Sequence, residues 1–212
     1  MKNKKKIIPA IIAKSQEELD ELLSKVTDIV EIAQLDVMDE KFVPNTSLFF
    51  DFKVPKTSCL FEAHLMIEDP ESWIENNWQK VDTILVHYES CNNPKSIISK
   101  VKNKGKKVGF VLNPETSIQN LSDFIDDIDQ VLIMTVNPGF YGSPFLPETL
   151  DKIKWLQIRY PDLELEVDGG ITADTISQAA QAGANKFVSG SFIVKSLNPD
   201  GAIAQLMQAI DS

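Results

Sequence analysis

Histidine is nearly missing from this chain, with two residues in 212. A site built on three imidazoles is therefore excluded, and a two-imidazole site must use both His64 and His87. Cysteine is as scarce. Cys59 and Cys91 lie 32 residues apart without a C-x-x-C pair, which suits neither a zinc knuckle nor a disulfide scaffold. Two free thiols, as in a cytoplasmic protein, are expected. Positive charge is in deficit: 21 Lys+Arg stand against 31 Asp+Glu, a net charge of −10. That balance argues against nucleic acid as a partner, because phosphate backbones are held mainly by Lys and Arg. Long apolar runs are lacking too. The run 7–13, behind the lysines at 2 and 4–6, is closed by Lys14. It is far short of a membrane span, and it reads as a strand behind a solvated end rather than as a signal peptide.

What the chain does have is alternation. Short apolar runs at 7–13, 29–37, 59–67, 83–87, 107–112, 130–136, 163–168 and 186–189 predict eight strands. Helical patterns fall between them near 94–104, 117–125, 147–158, 173–182 and 201–210. Ser15-Gln16-Glu17-Glu18 adds a capping-box start, and Asp69-Pro70-Glu71 a Pro-led one. Strand–helix units repeated at this spacing predict an α/β fold, a (β/α)8 TIM barrel, formed as a single domain over 1–212.

In such a barrel the chemistry sits at the C-terminal ends of the strands. The second strand ends Gln34-Leu35-Asp36-Val37-Met38-Asp39, and alternation puts Gln34, Asp36 and Met38 on one face. The third ends Glu62-Ala63-His64-Leu65-Met66, the fourth His87-Tyr88-Glu89, and the seventh Glu166-Val167-Asp168-Gly169-Gly170. The second and seventh strands are nearly opposite in an eight-strand ring. Asp36 and Asp168 can then reach a bound molecule from opposite sides, which suits proton removal from one face of a carbon and return to the other. A helix cap or a loop anchor is the plainer role for either Asp alone. The loops Asp168-Gly169-Gly170-Ile171 and Ser189-Gly190-Ser191-Phe192 follow the seventh and eighth strands, where barrels of this kind bind phosphate. Glycines there let backbone N–H groups approach an anion, so an acidic protein needs few lysines for the task. The loop Asn137-Pro138-Gly139-Phe140-Tyr141-Gly142 is placed to close over the same ligand.

Leu35-Asp36-Val37-Met38-Asp39 with Phe42-Val43-Pro44-Asn45 resembles the motif H-x-D-V-M-D-G-x-F-V-P-N of the ribulose-phosphate 3-epimerase family. Ala63-His64-Leu65-Met66, His87-Tyr88-Glu89, Asn113-Pro114-Glu115-Thr116, Met134-Thr135-Val136-Asn137-Pro138-Gly139-Phe140, Glu166-Val167-Asp168-Gly169-Gly170 and Gly190-Ser191 follow in the family's order. The resemblance implies a cytoplasmic isomerase that inverts C3 of a phosphorylated ketose, D-ribulose 5-phosphate to D-xylulose 5-phosphate. It implies Asp36 and Asp168 as the acid/base pair, and one divalent metal ion (Zn, Mn, Fe, Co or Mg) held by Asp36, His64 and Asp168. Met38, Met66 and Met134 would line the reacting centre, with Gly139, Gly142, Gly169, Gly170, Gly190 and Ser191 against the rest of the substrate. The partners expected are a small phosphorylated sugar and further copies of the chain in a homo-oligomer, with no nucleic acid and no membrane.

Four positions depart from the pattern. Gln34 replaces the family's fourth ligand, a His, and a neutral amide oxygen is the poorer ligand for zinc-like ions. A weaker site, one shifted towards manganese or magnesium, or an empty one is the expectation. Ala10 replaces a Ser, Glu40 a Gly, and Tyr141 interrupts a Gly-Gly. These departures leave room for a different ketose phosphate, or for a barrel that binds a sugar phosphate without turning it over. Related decarboxylases carry D-x-K-x-x-D on the second strand, and Met38 stands at the Lys position.

Overall fold

The computed structural model describes residues 4–140 and 142–210. Among them, eight parallel strands succeed one another: β1 (Lys6–Ile11), β2 (Ile32–Asp39), β3 (Leu60–Met66), β4 (Thr83–His87), β5 (Lys107–Leu112), β6 (Gln130–Met134), β7 (Glu164–Asp168) and β8 (Lys186–Ser189). Each pairs with the next. β1 also pairs with β8 through Ile8↔Val188 and with β2 through Ala10↔Gln34, so the sheet closes into the expected barrel. A two-residue strand, Thr46–Ser47, folds back antiparallel on the end of β2.

The helices are α1 (Gln16–Ser24), α2 (Pro70–Asn77), α3 (Pro94–Asn103), α4 (Leu150–Arg159), α5 (Ile176–Ala182), α6 (Ser191–Val194) and α7 (Pro199–Ile210). The first three start by one grammar. Ser15, Asp69 and Asn93 each accept the N–H three residues on, at 3.2, 3.0 and 3.1 Å, and fill a donor that the helix leaves open. The helix expected at 117–125 is instead a pair of 3₁₀ turns, Ile118–Leu121 and Ile125–Asp127. Ser, Asn and Asp in that short stretch compete for backbone hydrogen bonds and give it little helical propensity. The helix expected from 173 begins at Ile176, because Thr172 and Thr175 first form a turn in which the Thr175 hydroxyl accepts the Thr172 N–H at 3.0 Å.

Apolar packing lies on both sides of the barrel wall. Outward side chains such as Leu35, Val37, Leu65, Ile84, Val86 and Phe110 are fully buried against the helices. Inside the barrel, Leu85, Val111, Leu132 and Met134 form one cluster, and Ile8, Ala10 and Val188 another. The inner space is tight at Gly109, where a Cβ would meet Gln130 and Leu85 at 2.7 Å. Lower in the barrel sits a charged layer. The Lys186 ammonium, 3% exposed, faces Glu164 at 2.8 Å, Glu62 at 3.6 Å and Glu166 at 3.9 Å. It also donates to Gln130 Oε1, and the Gln130 amide donates to Glu166 at 2.9 Å. Buried charge is tolerable there because each carboxylate has the cation nearby.

Candidate active site

The alternation expected along β2 holds: Leu35 and Val37 pack outwards while Gln34, Asp36 and Met38 turn inwards. Parallel register sets Asp36 beside His64 of β3, and Met134 of β6 beside Asp168 of β7. Asp36, His64 and Asp168 then converge from three strands, their nearest ligand atoms all within 4.8 Å of one another. His64 Nδ1 is 3.3 Å from Asp36 Oδ1 and 3.3 Å from Asp168 Oδ2.

Gln34 closes this cluster from below. Its amide nitrogen donates to Asp36 Oδ1 at 2.8 Å and to Asp168 Oδ2 at 2.8 Å, and lies 3.3 Å from His64 Nδ1. Both amide hydrogens are spent on the two carboxylates. The other end, Oε1, is buried without a hydrogen-bond partner among the described residues. The orientation is forced by charge: Oε1 turned inwards would oppose two carboxylate oxygens. Two carboxylates and an imidazole nitrogen are a donor set that suits a divalent ion. Gln34 fits the same ion only with its amide reversed, so that Oε1 faces the cluster.

The charges of the trio depend on one another. Burial raises the pKa of Asp36, and the neighbouring Asp168 charge adds to the rise against the pull of His64. Burial pulls His64 down, but its hydrogen bonds to Asp168 and Asp36 outweigh that and raise it to about 9. Behind His64 lies His87, with the two Nε2 atoms 2.9 Å apart and the rings stacked. Burial lowers His87 to about 4, against the pull of Glu89. Glu89 is held near 2 despite its burial by hydrogen bonds from His87, Thr116 and the Asn113 N–H. The sequence placed His87 and Glu89 at a strand end and assigned them no task; only the fold joins them to His64.

Above the trio opens a cavity of about 370 Å3. Met38, Met66 and Met134 wall it near the carboxylates, with Ala10 and Ile12 beside them. Gly139, Gly142, Gly169, Gly170, Gly190 and Ser191 line the rest, so every site position expected from the sequence borders the cavity except Gln34, which lies beneath it. Tyr141 lies outside the described residues. Gly169 and Gly170 have φ of 110° and 66°, and a Cβ on Gly169 would stand 2.3 Å from Val136. No other residue fits that turn. Ile12, Phe145, Thr172, Asp174, Thr175 and Phe192 also border the cavity without having been singled out. All but Phe192, which lies in α6, come from loops, whose inward reach has no periodicity to betray it.

Two residues of the second-strand motif turn out to be structural. Asp39 accepts the N–H groups of Lys41, Phe42 and Glu68 at 3.0, 3.0 and 2.8 Å; these bonds outweigh its burial and lower its pKa. It anchors the loop after β2. Asn45 in that loop donates to Gly139 O at 2.9 Å and ties it to the loop after β6. The thiols have no place in the site: burial pushes Cys59 and Cys91 up to about 11, and both are free.

The chain matches known proteins over nearly its whole length. The family model described as "Ribulose-phosphate 3 epimerase family" matches residues 6–194. Ribulose-phosphate 3-epimerase of Schizosaccharomyces pombe is 33% identical over 97% of this chain and 93% of its own. The Bacillus subtilis enzyme of the same name is 35% identical over 95% of this chain and 97% of its own. Among solved structures, KGPDC from Streptococcus mutans superposes with a TM-score of 0.70 at 14% identity, covering 98% of this chain and 97% of that one. That likeness is one of fold. Among the described residues no helix is long and apolar enough to cross a membrane.

Proposed function

The chain belongs to the ribulose-phosphate 3-epimerase family, isomerases that interconvert D-ribulose 5-phosphate and D-xylulose 5-phosphate, and we propose that Asp36 and Asp168 carry out its proton transfers. The observation that carries this assignment is their convergence from opposite strands on the floor of one cavity.

In each turnover one carboxylate is ionised and the other protonated. The ionised one takes the proton from C3, and the C–H electron pair moves into a C2–C3 double bond as the carbonyl π pair shifts to the C2 oxygen. The protonated one then gives its proton to the opposite face of C3 while the carbonyl re-forms. The configuration inverts and the two carboxylates exchange protonation states; proton exchange with solvent resets them. Met38, Met66 and Met134 exclude water from the reacting carbon and adapt to both epimers.

The phosphate belongs at the glycine-lined end of the cavity. Gly169 and Gly170 follow β7, Gly190 and Ser191 follow β8, and the short helix α6 begins at Ser191, the usual position for phosphate in barrels. A divalent ion would be held by Asp36, His64 and Asp168, with Gln34 joining through Oε1, and when bound it supplies positive charge near the carbonyl oxygen.

The test is isotope exchange. Purified protein incubated in D2O with D-ribulose 5-phosphate should form D-xylulose 5-phosphate with deuterium at C3. Tight binding of the sugar phosphate with no label exchange, with or without added Mn2+ or Zn2+, would leave a non-catalytic barrel instead.

A further inference from the structure

His87 and Glu89 are the buried titratable pair that the reaction above does not use. We propose that they are positioning residues, which hold a proton on Nε2 of His64 and thereby aim its Nδ1 at Asp36 and Asp168. The inference rests on reading that trio as the reacting centre.

The direction of each bond follows from counting donors. Glu89 Oε1 accepts the Asn113 N–H at 2.8 Å and the Thr116 hydroxyl. A carboxylate gathered by such donors is ionised and only accepts. Its 3.2 Å bond to His87 therefore runs from Nδ1–H of the imidazole to Oε2. A neutral imidazole protonated on Nδ1 has only a lone pair on Nε2. The 2.9 Å contact between the two Nε2 atoms must then take its hydrogen from His64. Nδ1 of His64 is left as the atom facing the carboxylates, 3.3 Å from each.

Packing holds this arrangement in place. The His64 and His87 rings stack at 5.0 Å and 19°, and the Phe42 ring lies 4.7 Å from that of His87. His87 is fully buried and does not border the cavity, so it acts only through His64. Outer partners of this kind orient a ligand imidazole and set its tautomer.

Two imidazoles in the whole chain make the test direct. Long-range 1H–15N NMR should show His87 protonated on Nδ1 and bare on Nε2, in metal-free protein and after addition of Zn2+ alone. With Zn2+, His64 should carry its proton on Nε2. A proton on Nε2 of His87 in the metal-free protein overturns the proposal. Glu89→Gln, which can donate as well as accept, and His87→Leu should each weaken Zn2+ binding and lower kcat by about 10- to 100-fold, with KM within about twofold. His87→Gln, which keeps a donor and an acceptor, should recover part of the His87→Leu loss. Unchanged Zn2+ affinity and kcat in folded Glu89→Gln would also overturn it. Wild-type protein without epimerase activity would refute the functional reading alone, since the NMR assignment needs no turnover.

Discussion

Gln34 and Asp168 stand 134 residues apart in sequence and are joined by a 2.8 Å N–H···O bond across the barrel. The same amide bonds Asp36 at 2.8 Å, so one neutral side chain holds two carboxylates together at the position where the motif that this strand resembles has a His. An ion entering the cluster must first turn or displace that amide. Gln34→His removes this obstacle and supplies a nitrogen ligand. Calorimetric titration should show Zn2+ binding tightened by about tenfold or more, the scale on which ligand-sphere changes act. Equal Zn2+ affinity in both proteins would mean that Gln34 does not limit the site.

Asp36→Asn and Asp168→Asn should each lower epimerisation by about a hundred- to ten-thousandfold, the range of a lost general acid or base. Their exchange patterns should differ. Each variant keeps one base and so washes label from C3 of one epimer only, the two variants serving opposite epimers. Loss of exchange from both epimers in both variants would contradict the two-base assignment.

Lys186→Met should destabilise the fold by about 3–5 kcal/mol, because it leaves Glu62 and Glu166 buried without their cation. Adding Glu166→Gln should restore part of the loss, since it removes the acid that stands against Glu62 once the cation is gone. Urea midpoints measure both. A single variant within about 1 kcal/mol of wild type, on the scale of an exposed ion pair, would show that the layer is not held by charge.

Glu40 sits at φ 64° after β2, where a side chain is strained and glycine is not. Glu40→Gly should raise stability by about 0.5–1 kcal/mol, the strain relieved less the entropy that glycine adds to the unfolded chain. A lower thermal midpoint would point to an interaction of the Glu40 side chain that outweighs its backbone strain.

Glu89 predicts an acid limb. Its pKa falls from 4.5 to about 2 on folding, so the stabilisation is present above pH 4.5 and lost as pH falls through 2. It amounts to at most about 3 kcal/mol at neutral pH. The stability gap between wild type and Glu89→Gln should thus be full at about pH 7 and 5.5 and clearly narrower at about pH 3. A gap constant over that range would assign it to packing.

The barrel was legible because its strands announce themselves. Thr83–His87, Lys107–Leu112 and Lys186–Ser189 match the apolar runs read from the sequence residue for residue, and the other five differ only at their ends. The helices opened by Ser15 and Asp69 were equally plain in the chain, since capping is a local transaction. The pair of 3₁₀ turns at 118–127 was not, because an amphipathic pattern does not reveal that polar side chains will win the backbone hydrogen bonds.

By itself the sequence determined which side chains could face the barrel mouth: Asp36, His64 and Asp168 lie near strand ends, and alternation selects their face. It also determined that only two imidazoles were available and that Gln34 stood where a third was expected. What Gln34 does, and that His87 and Glu89 stand behind His64, only the tertiary structure decided. Contacts between residues 134, 30 and 23 apart in sequence depend on strand register and barrel closure, which no local pattern encodes. Whether an amide presents its nitrogen or its oxygen is set by the charges around it, and those charges meet only when the sheet has closed.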